Sequence, residues 1–375
     1  MERRESKRLD LKKLPPPCEP GHKQEESRLN VERLRQSMPQ WVPLAAYLNN
    51  KGFPLYRNTA ARYLPTGKAF LEDMLDAMEQ AERFIFLEYF IMAEGEIWHR
   101  LTDILRRKSG QGVEVKLIVD DFGSMLRMPA EEVDSLRRAG VEVMIFNPVH
   151  HYVNRLYFNY RDHRKITCID GDTAYTGGAN LADEYADIIR RFGYWKDCGL
   201  RLEGEGAWGL TREFIYMWER LGGQLHSEHD YYRPMHQAAS DGFCQTLVDG
   251  PDNNPDATAE DVFLQLISRA RQTVYITTPY LAIDEPMLKA LCLAGDSGVD
   301  VRLMMPGIPD HKFAYQVAQS YFPELTDHGV KIYTYTPGLI HGKTVMVDRE
   351  AAFVGSVNMD FRSFQLHFEC GELLY

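Results

Sequence analysis

His163-Arg-Lys165-Ile-Thr-Cys-Ile-Asp170-Gly-Asp-Thr-Ala-Tyr-Thr-Gly177-Gly-Ala-Asn180 and His341-Gly-Lys343-Thr-Val-Met-Val-Asp348-Arg-Glu-Ala-Ala-Phe-Val-Gly355-Ser-Val-Asn358 decide the fold of this chain. Counted from the histidine, the lysine, aspartate, glycine and asparagine stand two, seven, fourteen and seventeen residues on in both stretches. Core packing imposes no such agreement on distant segments, whereas one site assembled from two copies of a fold does.

Each histidine and lysine are two apart at the head of an apolar run, Ile166–Ile169 or Thr344–Val347, that is expected to be a strand, so both side chains face one way. Asp170-Gly171-Asp172 and Asp348-Arg349-Glu350 are expected to be tight turns into second strands, Ala174–Thr176 and Ala352–Val354. Those hairpins return Gly177 and Gly355, where a backbone comes close to a ligand, and the two asparagines toward the lysines. Lys165, Lys343, Asn180, Asn358 and the backbone at Gly178 and Ser356 form a donor set suited to phosphate oxygens. Two imidazoles, one per half, suit attack at phosphorus and protonation of a leaving oxygen, with no metal and no cofactor required. Taken singly, Gly171 is a turn glycine and Asn180 a helix cap for Leu181–Tyr185; the duplication is what makes them a site.

Outward from the motifs, helix and strand alternate. Leu71–Ala81, Ile97–Lys108 and Ala130–Ala139 have helical spacing, and Phe84–Phe90, Val113–Asp120 and Val141–Phe146 are apolar strands, a β-α-β-α-β order with right-handed crossovers. The second half repeats it with helices Val262–Ala270 and Pro286–Leu293 and strands Thr273–Tyr280, Gly298–Met305 and Gly329–Tyr333. The separation between copies drifts from about 178 to 190 residues, which describes one duplicated domain with loop insertions. The join is expected between His226 and Ala239. This gives a polar lead-in over 1–45, read as solvated despite a charged helix at Glu25–Ser37, a first domain over 46–230 and a second over 231–375.

A net charge of −11 with 44% apolar residues describes a globular chain and excludes polyanion binding by bulk charge. A local basic pocket near the first motif, from Arg155, Arg161, Arg164, Lys165, Arg190, Arg191 and Lys196, would still hold a phosphate. Six scattered cysteines offer no paired-ligand spacing and are expected to be reduced thiols of a cytosolic compartment. No segment is long and apolar enough to span a bilayer and the charged start is no signal peptide, so the chain is expected to be soluble. His150–Phe158 and Phe313–Phe322, rich in aromatic side chains, are candidates for dipping into a headgroup layer or equally for core packing.

The paired HxKxxxxD with following Gly-Gly or Gly-Ser and Asn is the signature of the phospholipase D superfamily. The flanking phrases Leu87–Phe90, Asn159–Ile166, Asn180–Tyr185, Tyr194–Asp197 and Asn358–Ser363 resemble bacterial cardiolipin synthases. The resemblance covers roughly residues 50–375 and implies an α/β fold of two duplicated phospholipase D-like α-β-α domains with mixed sheets, related by a pseudo-twofold axis. It implies a catalytic set of His163, Lys165, Asp170, His341, Lys343 and Asp348, in which His163 is the usual nucleophile, although the symmetry leaves the assignment open. Asp170 and Asp348 are expected to act through structure. Asp197 follows its histidine by 34 residues and Glu369 by 28, and each is expected to hold an imidazole's second nitrogen.

The implied reaction makes cardiolipin from two phosphatidylglycerols and releases glycerol through a phosphohistidine. Hydrolysis or transfer to another alcohol is the near alternative, a nuclease the remote one. The implied partners are phosphatidylglycerol and a membrane surface, not nucleic acid. The implied place is the bacterial cell membrane, with the catalytic region on the cytoplasmic side. Members of the family commonly carry membrane-spanning helices ahead of this region and several dozen residues beyond Tyr375, expected to pack on the second domain.

Overall fold

The computed structural model describes residues 11, 12, 14, 21–124, 127–148, 159–226, 228–251 and 256–375. Strands are β1 Thr59–Leu64, β2 Phe84–Tyr89, β3 Glu114–Asp120, β4 Glu142–Phe146, β5 Lys165–Ile169, β6 Thr173–Gly177, β7 Tyr194–Lys196, β8 Gly199–Gly204, β9 Cys244–Asp249, β10 Thr273–Thr277, β11 Leu281–Ala282, β12 Asp300–Pro306, β13 Lys331–Tyr335, β14 Gly338–Ile340, β15 Thr344–Val347, β16 Ala351–Gly355, β17 Met359–Asp360 and β18 Glu369–Leu374. The helices are α1 Gly21–Ser37, α2 Val42–Asn50, α3 Gly67–Glu79, α4 Glu96–Gly110, α5 Asp121–Ser124, α6 Ala130–Arg138, α7 Ala207–Arg220, α8 Thr258–Arg269, α9 Glu285–Asp296, α10 Lys312–Asp327 and α11 Phe361–Gln365.

Two seven-stranded sheets run β4-β3-β2-β5-β6-β8-β1 and β13-β12-β10-β15-β16-β18-β9, the same order twice. Within each, the β-α-β-α-β strands pair in parallel and the motif hairpin joins them antiparallel, with Tyr89 opposite Lys165 and Thr277 opposite Thr344. Both sheets are therefore mixed, and the expected elements lie within a few residues of their observed bounds. The parallel strands need helical crossovers, which is why every residue of β2 is buried.

Three apolar cores result. One packs α3, α4 and α6 on the first sheet, and another packs α8, α9 and α10 on the second. The third lies between the halves around α7, where Phe214 and Trp218 meet Val248, Val354, Phe368 and Cys370. Because α7 serves both sheets, almost its whole circumference is buried.

The solvated lead-in expected over 1–45 is corrected for α1 and α2. Val31, Leu34, Trp41, Leu44, Ala45 and Leu48 are buried in the second half's core, and Asn30 Nδ2 donates to Leu55 O at 2.9 Å. The helix is polar on average, but Ser27, Asn30, Val31 and Leu34 recur at three- and four-residue steps and form one inward face. Residues 1–10 lie outside the described part. Among the described residues no helix is long and apolar enough to cross a membrane.

Candidate active site

The two motif histidines are carried where the halves cross. Segment 161–163 runs beside 367–369 through His163 N–H to Phe368 O at 2.9 Å and Phe368 N–H to Arg161 O at 2.8 Å. Symmetrically, β14 pairs in parallel with β7, and His341 N–H donates to Lys196 O at 2.7 Å. Each histidine's strand is thereby registered against the other half's acid.

That crossing decides the acid–imidazole pairs. His163 Nδ1 lies 3.0 Å from both carboxylate oxygens of Glu369, and His341 Nδ1 lies 2.7 Å from Asp197 Oδ2. The expectation that each acid serves the histidine of its own half is corrected: both bonds cross. Sequence order could not reveal it, because the pairing depends on how two sheets meet. An ionised carboxylate only accepts, so each Nδ1 carries the proton and each Nε2 presents a lone pair. Ser356 Oγ and Ser363 Oγ both donate to Glu369, the latter at 2.6 Å. Asp197 instead accepts from Cys198 N–H at 2.9 Å and is 3.4 Å from the indole Nε1 of Trp195. Burial raises both carboxylates, but their partners together outweigh it, His163 and His367 for Glu369 and His341, Lys343 and the Cys198 N–H for Asp197, and each acid stays below its ordinary range.

Burial drives the His163 imidazole down to about 3, with Lys165 adding to the effect against Glu369. The His341 imidazole is also lowered, by burial first and the Lys343 ammonium second. Lys343 Nζ lies 2.9 and 3.0 Å from the two ring nitrogens of His341. Lys165 donates to His163 O at 2.5 Å. Burial takes Lys165 down to about 7 and Lys343 down to about 8, and the charges of Glu369 and Asp197 resist the fall in both. The site is a buried cluster of two ammoniums and two carboxylates with the imidazoles between them.

Asp170 and Asp348 lie elsewhere. Both have left-handed backbone, with φ of 53° and 54°, in the hairpin turns. Asp170 accepts from the N–H groups of Glu82, Arg83 and Phe84, and Asp348 from those of Arg271, Gln272 and Thr273. Each clamps the start of the adjacent parallel strand to the hairpin and fixes where the strand that follows the histidine ends. They are positioning residues.

The remaining motif residues are taken up by the protein. Asn180 Oδ1 accepts from Ile91 N–H at 3.0 Å and its Nδ2 donates to Tyr185 Oη at 2.8 Å; Leu181 bridges to Met92 and residues 183–187 form turns, so Asn180 caps no helix. Gly178 N–H donates to Cys198 O, and a Cβ there would sit 2.2 Å from Asp197 Oδ1. Ser356, its counterpart, uses its hydroxyl on Glu369 and its N–H on Cys370 O. Asn358 has a buried Oδ1 with no hydrogen-bond partner among the described residues. The close approaches at Gly177 and Gly355 are to neighbouring strands, at Gly199 and Gly371, rather than to a ligand.

The local basic pocket is also corrected. Arg164 is buried against Glu88 and Asp162, and Arg161 Nη1 is 3.4 Å from Asp120 Oδ1, so these guanidiniums hold the strand entry together, while Arg190 and Arg191 are exposed at the surface and form no part of the buried site. Arg155 and His150–Phe158 lie outside the described residues, and Phe313–Phe322 is the first part of α10.

Several neighbours carry no spacing signal of their own. Phe90 packs on His163 with ring centres 5.1 Å apart, and Tyr185 and Trp195 each lie 5.4 Å from His341. His367 brings a third imidazole, with Nδ1 3.6 Å from Glu369 Oε1. Donor atoms of His163, His367 and Glu369 lie within 4.8 Å of one another, a spacing a cation would accept, but Lys165 beside them opposes added positive charge.

The cardiolipin synthase, PLD-like domain family matches residues 74–189 and 263–375, one stretch for each motif copy. The chain belongs to this family. A cardiolipin synthase of Alkalihalophilus pseudofirmus is 35% identical over 352 residues, 93% of this chain and 70% of that protein. An uncharacterised protein of Streptococcus mutans is 41% identical over 344 residues, 92% of this chain and 74% of its own length. The crystal structure of phosphatidylserine synthase from Haemophilus influenzae aligns with a TM-score of 0.66 at 15% identity, covering 94% of this chain and 86% of that one. At that identity the likeness is one of fold. Family membership makes the chain a phosphatidyltransferase-type enzyme of the phospholipase D superfamily, with the crossed dyads as its candidate active site.

Proposed function

We propose that this enzyme moves a phosphatidyl group from one phosphatidylglycerol to a hydroxyl of a second, giving cardiolipin and free glycerol. The observation that carries the reading is the pair of buried imidazoles, each fixed through Nδ1 by a carboxylate from the opposite half and each beside a lysine. Two equivalent proton-handling groups around one phosphorus suit a double displacement.

In the first step the lone pair on His163 Nε2 attacks phosphorus, the bond to the headgroup glycerol oxygen breaks, and His341 Nε2 supplies the proton that leaves with glycerol. In the second, His341 takes the proton of the incoming hydroxyl, the new P–O bond forms, and the P–N bond to His163 breaks. Burial makes His163 a neutral nucleophile at ordinary pH. Burial and Lys343 disfavour the protonated His341; the negative charge of a phosphodiester favours it, so the acid is armed as substrate enters. Lys165 and Lys343 hold the non-bridging oxygens and offset the charge that builds on them. Asn358, with an unused buried Oδ1 acceptor, is the asparagine better placed to meet a substrate hydroxyl. This chemistry belongs at the cytoplasmic side of the bacterial membrane, where the lipid substrate is.

The test is product analysis after incubation with phosphatidylglycerol. Cardiolipin and glycerol in equal amounts support the transfer; phosphatidic acid with no cardiolipin would move the second step to water, and no lipid turnover would remove the proposal.

A further inference from the structure

Away from the dyads, two loops are strapped to strand β14, which His341 directly follows. Leu339 N–H donates to Phe192 O at 3.0 Å, and Ile308 N–H donates to Gly338 O at 3.1 Å. The loops touch: a Cβ at Gly193 would lie 3.2 Å from Ile308 Cδ1. They also border the site, since Tyr280 Oη donates to Asp310 Oδ2 at 2.6 Å and the Asp310 charge acts on His341 and Lys343.

What these loops present to water is unusual for their position. Ile188 and Ile189 are 43% and 53% exposed, Ile308 is 43% exposed, and Phe313 in the first turn of α10 is 78% exposed. Next to them stand the exposed Arg190, Arg191 and Lys312. The ion pair of Arg190 with Asp187, 3.2 Å long, is on the surface and leaves the guanidinium open to other anions. On a chain of net charge −11, Ile-Ile-Arg-Arg beside Lys-Phe is a local reversal of both charge and polarity.

We infer that Ile188–Arg191 and Ile308–Phe313 form a docking rim for an anionic phospholipid surface, with the arginines and lysine at phosphate level and Ile189 and Phe313 reaching the acyl boundary. The combination selects the occupant. Cations flanking exposed apolar side chains match a layer of lipid phosphates above an acyl boundary. The rim also borders the His341 side of the site, so lipid held there would pass to the imidazoles without crossing water. This inference rests on the lipid-acting function proposed above.

The test uses the 375-residue chain and co-sedimentation with vesicles of phosphatidylcholine alone or mixed with phosphatidylglycerol. The wild type should bind the mixed vesicles. The double variant Ile189→Ser, Phe313→Ser should bind at least about tenfold more weakly, from the apolar area withdrawn. Arg190→Gln with Arg191→Gln should lose roughly fivefold per charge, only on the anionic vesicles. Turnover of dispersed short-chain phosphatidylglycerol should be unchanged in all of them, which also verifies folding. Phe313→Trp should shift its emission to shorter wavelength when mixed vesicles are added. Vesicle binding by the serine variant equal to wild type, or no vesicle binding by the wild type, would overturn the inference. So would a loss of self-association in the serine variant with vesicle binding intact, which would assign the rim to a second copy. If no lipid is turned over but vesicle binding still depends on Ile189 and Phe313, the rim stands and the proposed reaction falls.

Discussion

The His163 and His341 dyads are built on identical spacings yet differ in what braces their carboxylates and packs on their rings. Glu369 reaches His163 with two serine hydroxyls behind it and His367 alongside. Asp197, one methylene shorter, reaches His341 from a backbone N–H, with the Trp195 indole nearby and Lys343 against the ring. Gly178 and Ser356 follow the same logic. The first is bare because Asp197 occupies the space a side chain would need; the second supplies a hydroxyl because Glu369 has an oxygen to be held. Duplication therefore preserved the positions of the motif histidines and lysines, while the layer behind them diverged into two ways of orienting an imidazole. One leaves Nε2 open beside a serine-braced carboxylate, and the other sets a lysine on the ring, which favours unequal roles.

The largest effect should come from separating the histidines. His341→Ala should lose about 10² to 10⁴ in turnover yet accumulate labelled phosphatidyl on His163, detectable by mass spectrometry of the quenched enzyme. His163→Ala should show no covalent label. Label on His341 in that variant would reverse the roles.

Next come the crossed carboxylates. Glu369→Gln and Asp197→Asn should each reduce kcat about 10²-fold through misoriented imidazoles, with KM changed less. If the crossing matters, the Glu369 change should slow covalent labelling of His163 more than the Asp197 change does, and the Asp197 change should slow decay of the label more.

The glycine–serine contrast should give smaller and unequal losses. Gly178→Ser forces atoms into Asp197 and should cost about 1–3 kcal/mol of stability, read as a lower denaturant midpoint. Ser356→Gly removes a donor from buried Glu369 and should cost about 1–3 kcal/mol, with a lower kcat for His163 phosphorylation.

The smallest effect is in pH. Lys165 and Lys343 titrate at about 7 and about 8, so KM for a phosphodiester should rise severalfold as pH climbs through that range. Stability should move the other way. Both lysines have folded values below the unfolded one, so the unfolded chain binds more protons between them, and their contribution to stability grows as pH rises from about 7 toward 10. A KM that stays flat while Lys165→Met removes activity would mean that the lysine acts in its neutral form.

Much of this was legible in one sequence. The two motif copies, their equal offsets and the alternation of apolar strands with helices sufficed for two mixed α/β halves and for the two His–Lys pairs. Helix α1 was misread because its average polarity masks the inward step of Ser27, Asn30, Val31 and Leu34. Arg161 and Arg164 looked like phosphate ligands because composition does not say which charges are paired. Asn180 likewise looked available until its partners, Ile91 and Tyr185, were in place.

The sequence by itself determined which groups make up the candidate site, since residue type and a preserved period of two put His and Lys on one strand face in each half. Only the tertiary structure decided which acid serves which imidazole. Segment 367–369 lies along 161–163, and β7 along β14, because the halves meet through a shared core around α7. Such contacts join residues about two hundred apart in sequence, as with His163 and Glu369 at 206, and no local pattern encodes them.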